Sequence, residues 1–238
     1  MRPKDLVELN RQRYFRPGAI DEWGKEELVA DGLHPVEQEM LEGIPLKSGR
    51  VLILGVGGGR EAIALARMGF EVVGLDFSPE MVAQAQKNAA RHSINLKGMV
   101  QEFSSLEVPA GSFDLMVLFA AMYSSIPTRR KRIQMLTKIN RGLKPGGYFL
   151  CQFQFDPKPH INYRAISARK IFARLTGGNR DYEVGDVIWG SEFSHIFQST
   201  DDLRDEFIEA GFEVVSLNIS EPGWSGAILR KSEGNPTC

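Results

Sequence analysis

The sequence predicts an α/β fold: a Rossmann-like, doubly wound and mainly parallel sheet with helices on both faces. Three observations predict it. From residue 50 onward, apolar runs of strand length alternate with amphipathic segments of helix length, the pattern of βαβ units. Glycine or proline punctuates most of the joints between them. The last two strand-like runs are joined only by residues 218–226, too short for a helical crossover, so that pair is antiparallel.

The elements follow in order. Residues 1–45 are polar with scattered aromatics, Tyr14, Phe15 and Trp23, and are expected to form a helical cap on a main domain at 46–238. Val51-Leu52-Ile53-Leu54 reads as a buried strand ending at Gly55. Arg60 to Met68 is a helix stopped by Gly69. Glu71 to Leu75 is the next strand, closed by Asp76; Ser78 and Pro79 then supply an N-cap and a first-turn proline for a second helix. Leu96 to Gln101 and Phe113 to Phe119 are the third and fourth strands. Thr128 to Leu143 places Ile133, Leu136, Ile139 and Leu143 on one helical face, and Lys144-Pro145-Gly146-Gly147 ends it. Tyr148 to Phe155 is the fifth strand. Ser199 and Asp202 stand at capping-box spacing before a helix that Gly211 stops. Phe212 to Leu217 and Ala227 to Lys231 complete the sheet. The insert at 156–198 is too long for a plain loop. Within it, Asn162 to Leu175 aligns Ala168, Ile171, Phe172 and Leu175 on one face, a helix expected to serve as a lid.

Composition narrows the function. The 238 residues are 42% hydrophobic and 25% charged, ordinary for a soluble globular chain. A formal net charge of −1 argues against a general nucleic-acid binder. The dense basic run Arg129-Arg130-Lys131-Arg132 lacks interleaved aromatics and reads as a solvated helix start. The two cysteines and four histidines have no ligand spacing, so no metal site is expected. No run approaches 18 apolar residues and no signal-like segment opens the chain, so no membrane partner and a cytoplasmic location are expected.

The chemistry concentrates at Gly55-Val56-Gly57-Gly58-Gly59-Arg60. Such a loop lets a ligand lie against the backbone, and the helix behind it points free N–H groups at whatever binds. Asp76 lies 21 residues after Gly55, at the end of the next strand, where a carboxylate can accept both hydroxyls of a ribose. A nicotinamide dinucleotide and another nucleoside cofactor compete for this loop. The first fingerprint started at Gly55 needs glycine where Arg60 stands, although a start at Gly57 matches through Ala62.

Five blocks together resemble the class I S-adenosylmethionine-dependent methyltransferases: VLILGVGGGR at 51–60, VVGLDFS at 72–78, FDLMVLF at 113–119, LKPGGYFL at 143–150 and AGFEVV at 210–215. The resemblance covers residues 50–217. It implies a seven-stranded sheet with the last strand antiparallel, and S-adenosylmethionine as cofactor. It implies that Gly55, Gly57 and Gly59 pass against the methionyl part, that Asp76 holds the ribose and that Phe77 lies against adenine. It further implies that Glu102 bonds the adenine amine, that Phe103 offers its N–H, and that the Phe119-Ala120-Ala121 exit faces the methionyl amine. The chain departs from the family at Ile53, where an acidic residue often stands two before the first glycine.

Methyl transfer needs an acceptor held in line and water kept out; a base is needed only if the acceptor is protonated. The acceptor walls are therefore sought in the additions to the core: residues 1–45, the loop Met122 to Pro127 and the insert. Tyr123, His160 and His195 are the candidates for proton transfer. The insert carries Lys158, His160, Arg164, Arg169, Lys170 and Arg174 with no acid from Pro157 to Asn179, which suits an anionic small molecule or a solvated face. The expected activity is transfer of the sulfonium methyl to an O, N or S atom of a small-molecule acceptor. A nucleic-acid methyltransferase, a nicotinamide oxidoreductase and a non-catalytic S-adenosylmethionine-binding protein are the alternatives.

Overall fold

A computed structural model gives the three-dimensional structure and describes residues 2–16, 18–158, 182–190, 192–220 and 223–232. Four short helices come first: α1 (Pro3–Phe15), α2 (Ala19–Trp23), α3 (Glu26–Ala30) and α4 (Pro35–Glu42). The alternating region follows with β1 (Gly49–Leu54), α5 (Arg60–Arg67), β2 (Phe70–Asp76), α6 (Pro79–Arg91), β3 (Lys97–Val100), β4 (Phe113–Leu118), α7 (Arg129–Gly142) and β5 (Leu143–Phe155). Strands β6 (Asp186–Trp189) and β7 (Glu192–His195), helix α8 (Thr200–Glu209), and strands β8 (Phe212–Asn218) and β9 (Gly223–Lys231) complete it.

The main sheet has seven strands in the order β3-β2-β1-β4-β5-β9-β8. All are parallel except β9, which runs antiparallel to both β5 and β8. This is the architecture that the strand spacing and the short last connection predict. Alternation along β1 shows why both faces are covered. Leu52 and Leu54 join an apolar layer with Met135, Leu136 and Ile139 of α7 and Leu203 and Phe207 of α8. Val51 and Ile53 join the opposite layer with Met40 and Leu41 of α4, Ile63 and Leu65 of α5, and Ala85 and Ala89 of α6. Ile53 therefore sits in a dry core where an unpaired carboxylate would be costly.

The helix starts follow their caps. The Ser78 hydroxyl accepts from the Met81 N–H at 3.1 Å, and that of Ser199 accepts from the Asp202 N–H at 3.2 Å. Two local differences stand out. The Lys144-Pro145-Gly146-Gly147 turn lies inside β5, because Leu143 already pairs with Phe113; the register then slips before Leu115 meets Tyr148. The insert contains an antiparallel hairpin, β6–β7, where sequence reading expected only a lid helix; that helix, at 162–175, lies outside the described residues. After the hairpin, Phe197 forms a parallel bridge with Phe155. The insert thus extends the sheet past the end of β4, above the carboxyl edge.

Candidate functional site

The glycine loop leaves β1 at that carboxyl edge. The N–H groups of Gly55 and Val56 both donate to the Leu75 carbonyl at 2.8 Å, and the Gly59 N–H donates to Val56 at 2.9 Å, closing a turn. The consecutive glycines have different physical reasons. A Cβ on Gly58 would stand 2.2 Å from the Trp23 carbonyl oxygen, so Gly58 is needed for the N-terminal helices to dock. Gly59 caps α5 with φ +95°. Gly57 has φ +50°, and a Cβ there would meet nothing within 4 Å. Its backbone faces open space, the feature a bound ligand requires.

Arg60, the residue that breaks the dinucleotide fingerprint, holds this loop from behind. Its guanidinium forms a bidentate pair with the fully buried Glu37 at 2.7 Å for both bonds, and also donates to the Gly32 carbonyl and to Glu61. The Asn88 amide adds a second tie, donating to the carbonyls of Gly24 and Gly58 at 3.1 and 2.9 Å. The N-terminal helices are thus bonded to the loop rather than merely laid over it.

The remaining expected cofactor residues fall along the same edge. Asp76 ends β2, and its carboxylate accepts from the Gly57 N–H at 3.2 Å and the Ser78 N–H at 3.0 Å. Burial raises its pKa above the ordinary 3.8, against the lowering effect of these backbone donors. Phe77 meets Phe15 of α1 edge-on at 5.1 Å, and the Arg11 guanidinium lies 5.5 Å from its ring centre. Glu102 follows β3 and accepts from the Ser104 N–H at 3.4 Å, opening a single 3-10 turn that begins at Phe103. Phe119 is buried just past β4.

A second wall rises over β4 and β5. Asn10 of α1 exchanges two hydrogen bonds with the backbone of Phe193 in β7, at 3.1 and 2.7 Å, and donates to the Ser125 carbonyl at 3.2 Å. Arg13 pairs with Glu192 beside it. Helix α1 therefore bridges the Phe77 end of the edge to the insert hairpin. Neither Asn10 nor the hairpin was singled out from sequence. The hairpin had a signal, Gly190-Ser191 between two strand-like runs; Asn10 had none, because its partners lie 115 and 183 residues away.

Below this wall lies a buried polar network. Arg132 donates to both oxygens of Glu206, at 2.7 Å and 2.9 Å at the nearest, and to Glu183 at 2.8 Å. The basic run is therefore not a uniformly solvated helix start. Arg132 is among the most buried side chains of the protein, and Arg129 pairs with Glu209 at 2.7 Å. Tyr123, expected as a proton-transfer candidate, is fully buried and donates its hydroxyl to Glu206 at 2.7 Å. Burial, reinforced by the Glu206 charge, holds its pKa well above the usual phenol value. That geometry gives Tyr123 a buried structural partner. His195 is also buried, with Nδ1 2.8 Å from Asp186 Oδ1; the carboxylate can only accept, so Nδ1 carries the hydrogen. His160 lies outside the described residues. Glu183, Asp186 and His195 offer ligand atoms within 4.8 Å of one another. The Arg132 guanidinium already supplies Glu183 with a cation at 2.8 Å.

Comparisons with known proteins agree with this geometry. A family model described as "Methyltransferase domain" matches residues 51–147, from β1 through the turn inside β5. A ubiquinone biosynthesis O-methyltransferase of Coxiella burnetii is 28% identical over 152 residues, 63% of this chain and 63% of that protein. The protein of the same name from Xanthomonas campestris is 33% identical over 166 residues, 68% of this chain and 66% of its own length. The chain thus spans just under two thirds of the length of these relatives. A solved S-adenosylmethionine-dependent methyltransferase structure from Methanosarcina mazei superposes with a TM-score of 0.62 at 21% identity, covering 84% of this chain and 99% of that one, which speaks for the fold. Residues 51–147 thus match a methyltransferase domain, and the fold is that of S-adenosylmethionine-dependent methyltransferases, whose cofactor is S-adenosylmethionine. Among the described residues no helix is long and apolar enough to cross a membrane.

Proposed function

We propose that this chain transfers the methyl group of S-adenosylmethionine to a small-molecule acceptor. The observation that carries the reading is the open backbone at Gly57, tied at 3.2 Å to the Asp76 carboxylate at the carboxyl edge of the sheet. Open backbone, an acid at the next strand's end and the Phe77 ring beside it fit an adenosine-bearing cofactor. Gly55, Gly57 and Gly59 would run along the methionyl part, Asp76 would accept the ribose hydroxyls, and Phe77, Glu102 and Phe103 would hold adenine. Phe119 and the alanines after it would close the methionyl side. Bound there, the cofactor supplies a sulfonium methyl that is already electrophilic, so the protein's work is alignment and exclusion of water.

The acceptor would lie between the exit of β4, the insert and α1, the three segments that converge over the edge. An oxygen acceptor is favoured by the activity in the names of the Coxiella and Xanthomonas relatives. His195 is the base we assign, because Asp186 holds Nδ1–H and leaves the other ring nitrogen to take a proton. The insert's run of Lys and Arg supports an anionic acceptor. Pairing of Arg129 and Arg132 within the chain supports a reading without nucleic acid. The division into a cap at 1–45 and a main domain, and a cytoplasmic setting, belong to the same reading. Calorimetric titration with S-adenosylmethionine, followed by transfer of labelled methyl to a panel of small hydroxylated acids, tests it. No binding would end the proposal; binding without transfer to any acceptor would leave a cofactor-binding protein instead.

A further inference from the structure

We infer that Gln152 is a positioning residue of the methyl-transfer site: it holds the strained Ala120-Ala121 turn against the glycine loop. Strand β4 ends at Leu118, opposite Cys151 of β5. Gln152 is the next residue on β5 and is almost fully buried, in a strand whose neighbouring residues Leu150, Cys151 and Phe153 are apolar. An apolar side chain would satisfy packing there. The glutamine has a specific partner instead: its Oε1 accepts from the Ala120 N–H at 2.8 Å.

The turn it holds is unusual. Ala120 and Ala121 both have positive φ, +53° and +55°, and the Met122 N–H donates to the Phe119 carbonyl at 3.1 Å. These are the central angles of a type I′ turn, a place normally taken by glycine or asparagine. An alanine Cβ crowds its own carbonyl in that region, so the conformation persists only where neighbours enforce it. Gln152 enforces it at Ala120. The Ser124 hydroxyl, accepting from the Gln154 N–H at 2.8 Å, fastens the following segment to the same strand. The turn in turn meets the cofactor loop, because a Cβ on Gly55 would stand 2.6 Å from Met122 Cε. The chain of contact runs from Gln152 through the turn to Gly55, with no step through the solvent.

The inference rests on the proposed function, since it assigns the turn to the methionyl side of the cofactor. Losing the Oε1 acceptor should let Ala120 and Ala121 relax out of the left-handed region and withdraw that wall. The test is calorimetric titration of the full chain with S-adenosylmethionine. Gln152→Leu should raise Kd by about tenfold or more, the worth of one buried hydrogen bond. Glycine takes positive φ without penalty, so adding Ala120→Gly and Ala121→Gly to Gln152→Leu should recover most of the lost affinity. A purely structural glutamine would show a lower melting temperature in Gln152→Leu with Kd unchanged. Should Gln152→Leu not fold, Gln152→Asn, which keeps the amide on a shorter arm, should show the same rise in Kd. Unchanged Kd in the folded variant, or no recovery with glycine, overturns the inference. Failure of the wild-type chain to bind would overturn the proposed function instead.

Discussion

Replacing Arg132 by methionine should cost this protein much of its stability, and the structure sets the size. The guanidinium is buried and satisfied by Glu206, Glu183 and the Ile126 carbonyl, and it lies 5.1 Å from the centre of the Phe197 ring. Methionine keeps most of the volume, so the cavity contribution is small. The electrostatic loss falls unequally on the two acids. Glu183 is about a quarter exposed and keeps the Arg129 N–H at 2.6 Å, so water and backbone can compensate it. Glu206 is buried and would keep only the Tyr123 hydroxyl. An uncompensated buried carboxylate costs about 3–5 kcal/mol. For a chain of this size, each kcal/mol moves the melting temperature by about 2–4 °C, so Arg132→Met should melt roughly 6–20 °C below wild type. Adding Glu206→Gln removes the orphaned charge while the amide oxygen still accepts from Tyr123, and should restore more than half of the loss. Differential scanning calorimetry on the three proteins decides it. A single variant melting within about 2 °C of wild type, or a double variant no better than the single one, would refute the argument that the acid's burial dominates.

Other outcomes follow from the same geometry. Asp76→Asn should weaken S-adenosylmethionine binding by about tenfold or more while the chain stays folded, measured by calorimetry. Because burial raises the Asp76 pKa above 3.8, wild-type affinity should begin to fall at a pH above the ordinary aspartate range, since the carboxylate is lost as pH falls through its folded value. The sign for folding is opposite: a raised carboxyl pKa favours the fold below the unfolded value, and that contribution is lost as pH rises through the folded one. Titration of affinity and of melting temperature upward from the ordinary aspartate range should therefore diverge; parallel curves would contradict it. Gly58→Ala should lower stability by about 1–3 kcal/mol through its clash with Trp23; an unchanged melting temperature would show that α2 can shift freely. His195→Gln should lower kcat and leave S-adenosylmethionine affinity unchanged, while Tyr123→Phe should lower melting temperature and leave kcat alone. The reverse pattern would return proton transfer to Tyr123.

How much was legible depended on the range of the interaction. The strands themselves follow from apolar runs and joints, which are local. Asp76 is readable because its spacing from Gly55 is set by one strand, one helix and one strand. Gly57 and Gly58 look alike in sequence, yet one faces open space and the other a carbonyl of α2; the distinction needs a contact across 35 residues. Tyr123 and Arg132 read as a loop aromatic and a surface charge because their common partner Glu206 lies on α8, 83 and 74 residues on. The β6–β7 hairpin is different. The dipeptide Gly190-Ser191 between two strand-like runs is a local sequence signal, eclipsed by the basic, helix-like stretch before it.

The hydrogen bonds of Asn10 join the beginning of the chain to its far part, across 183 residues, while the glycine loop, Asp76 and the helices behind them interlock within the first hundred. Closing so long a loop costs entropy that a few polar contacts must offset. The two halves of the cleft should therefore differ in how often they come apart. Amides of Phe193 and its neighbours should exchange with solvent through small openings, well below the free energy of global unfolding, whereas those of Leu54 and Leu75 should wait for it. A molecule could then be admitted over β7 without disturbing the side proposed for the nucleoside. Exchange of one partner while the other stays seated would be a property of the chain's connectivity, and not of any single residue in the cleft.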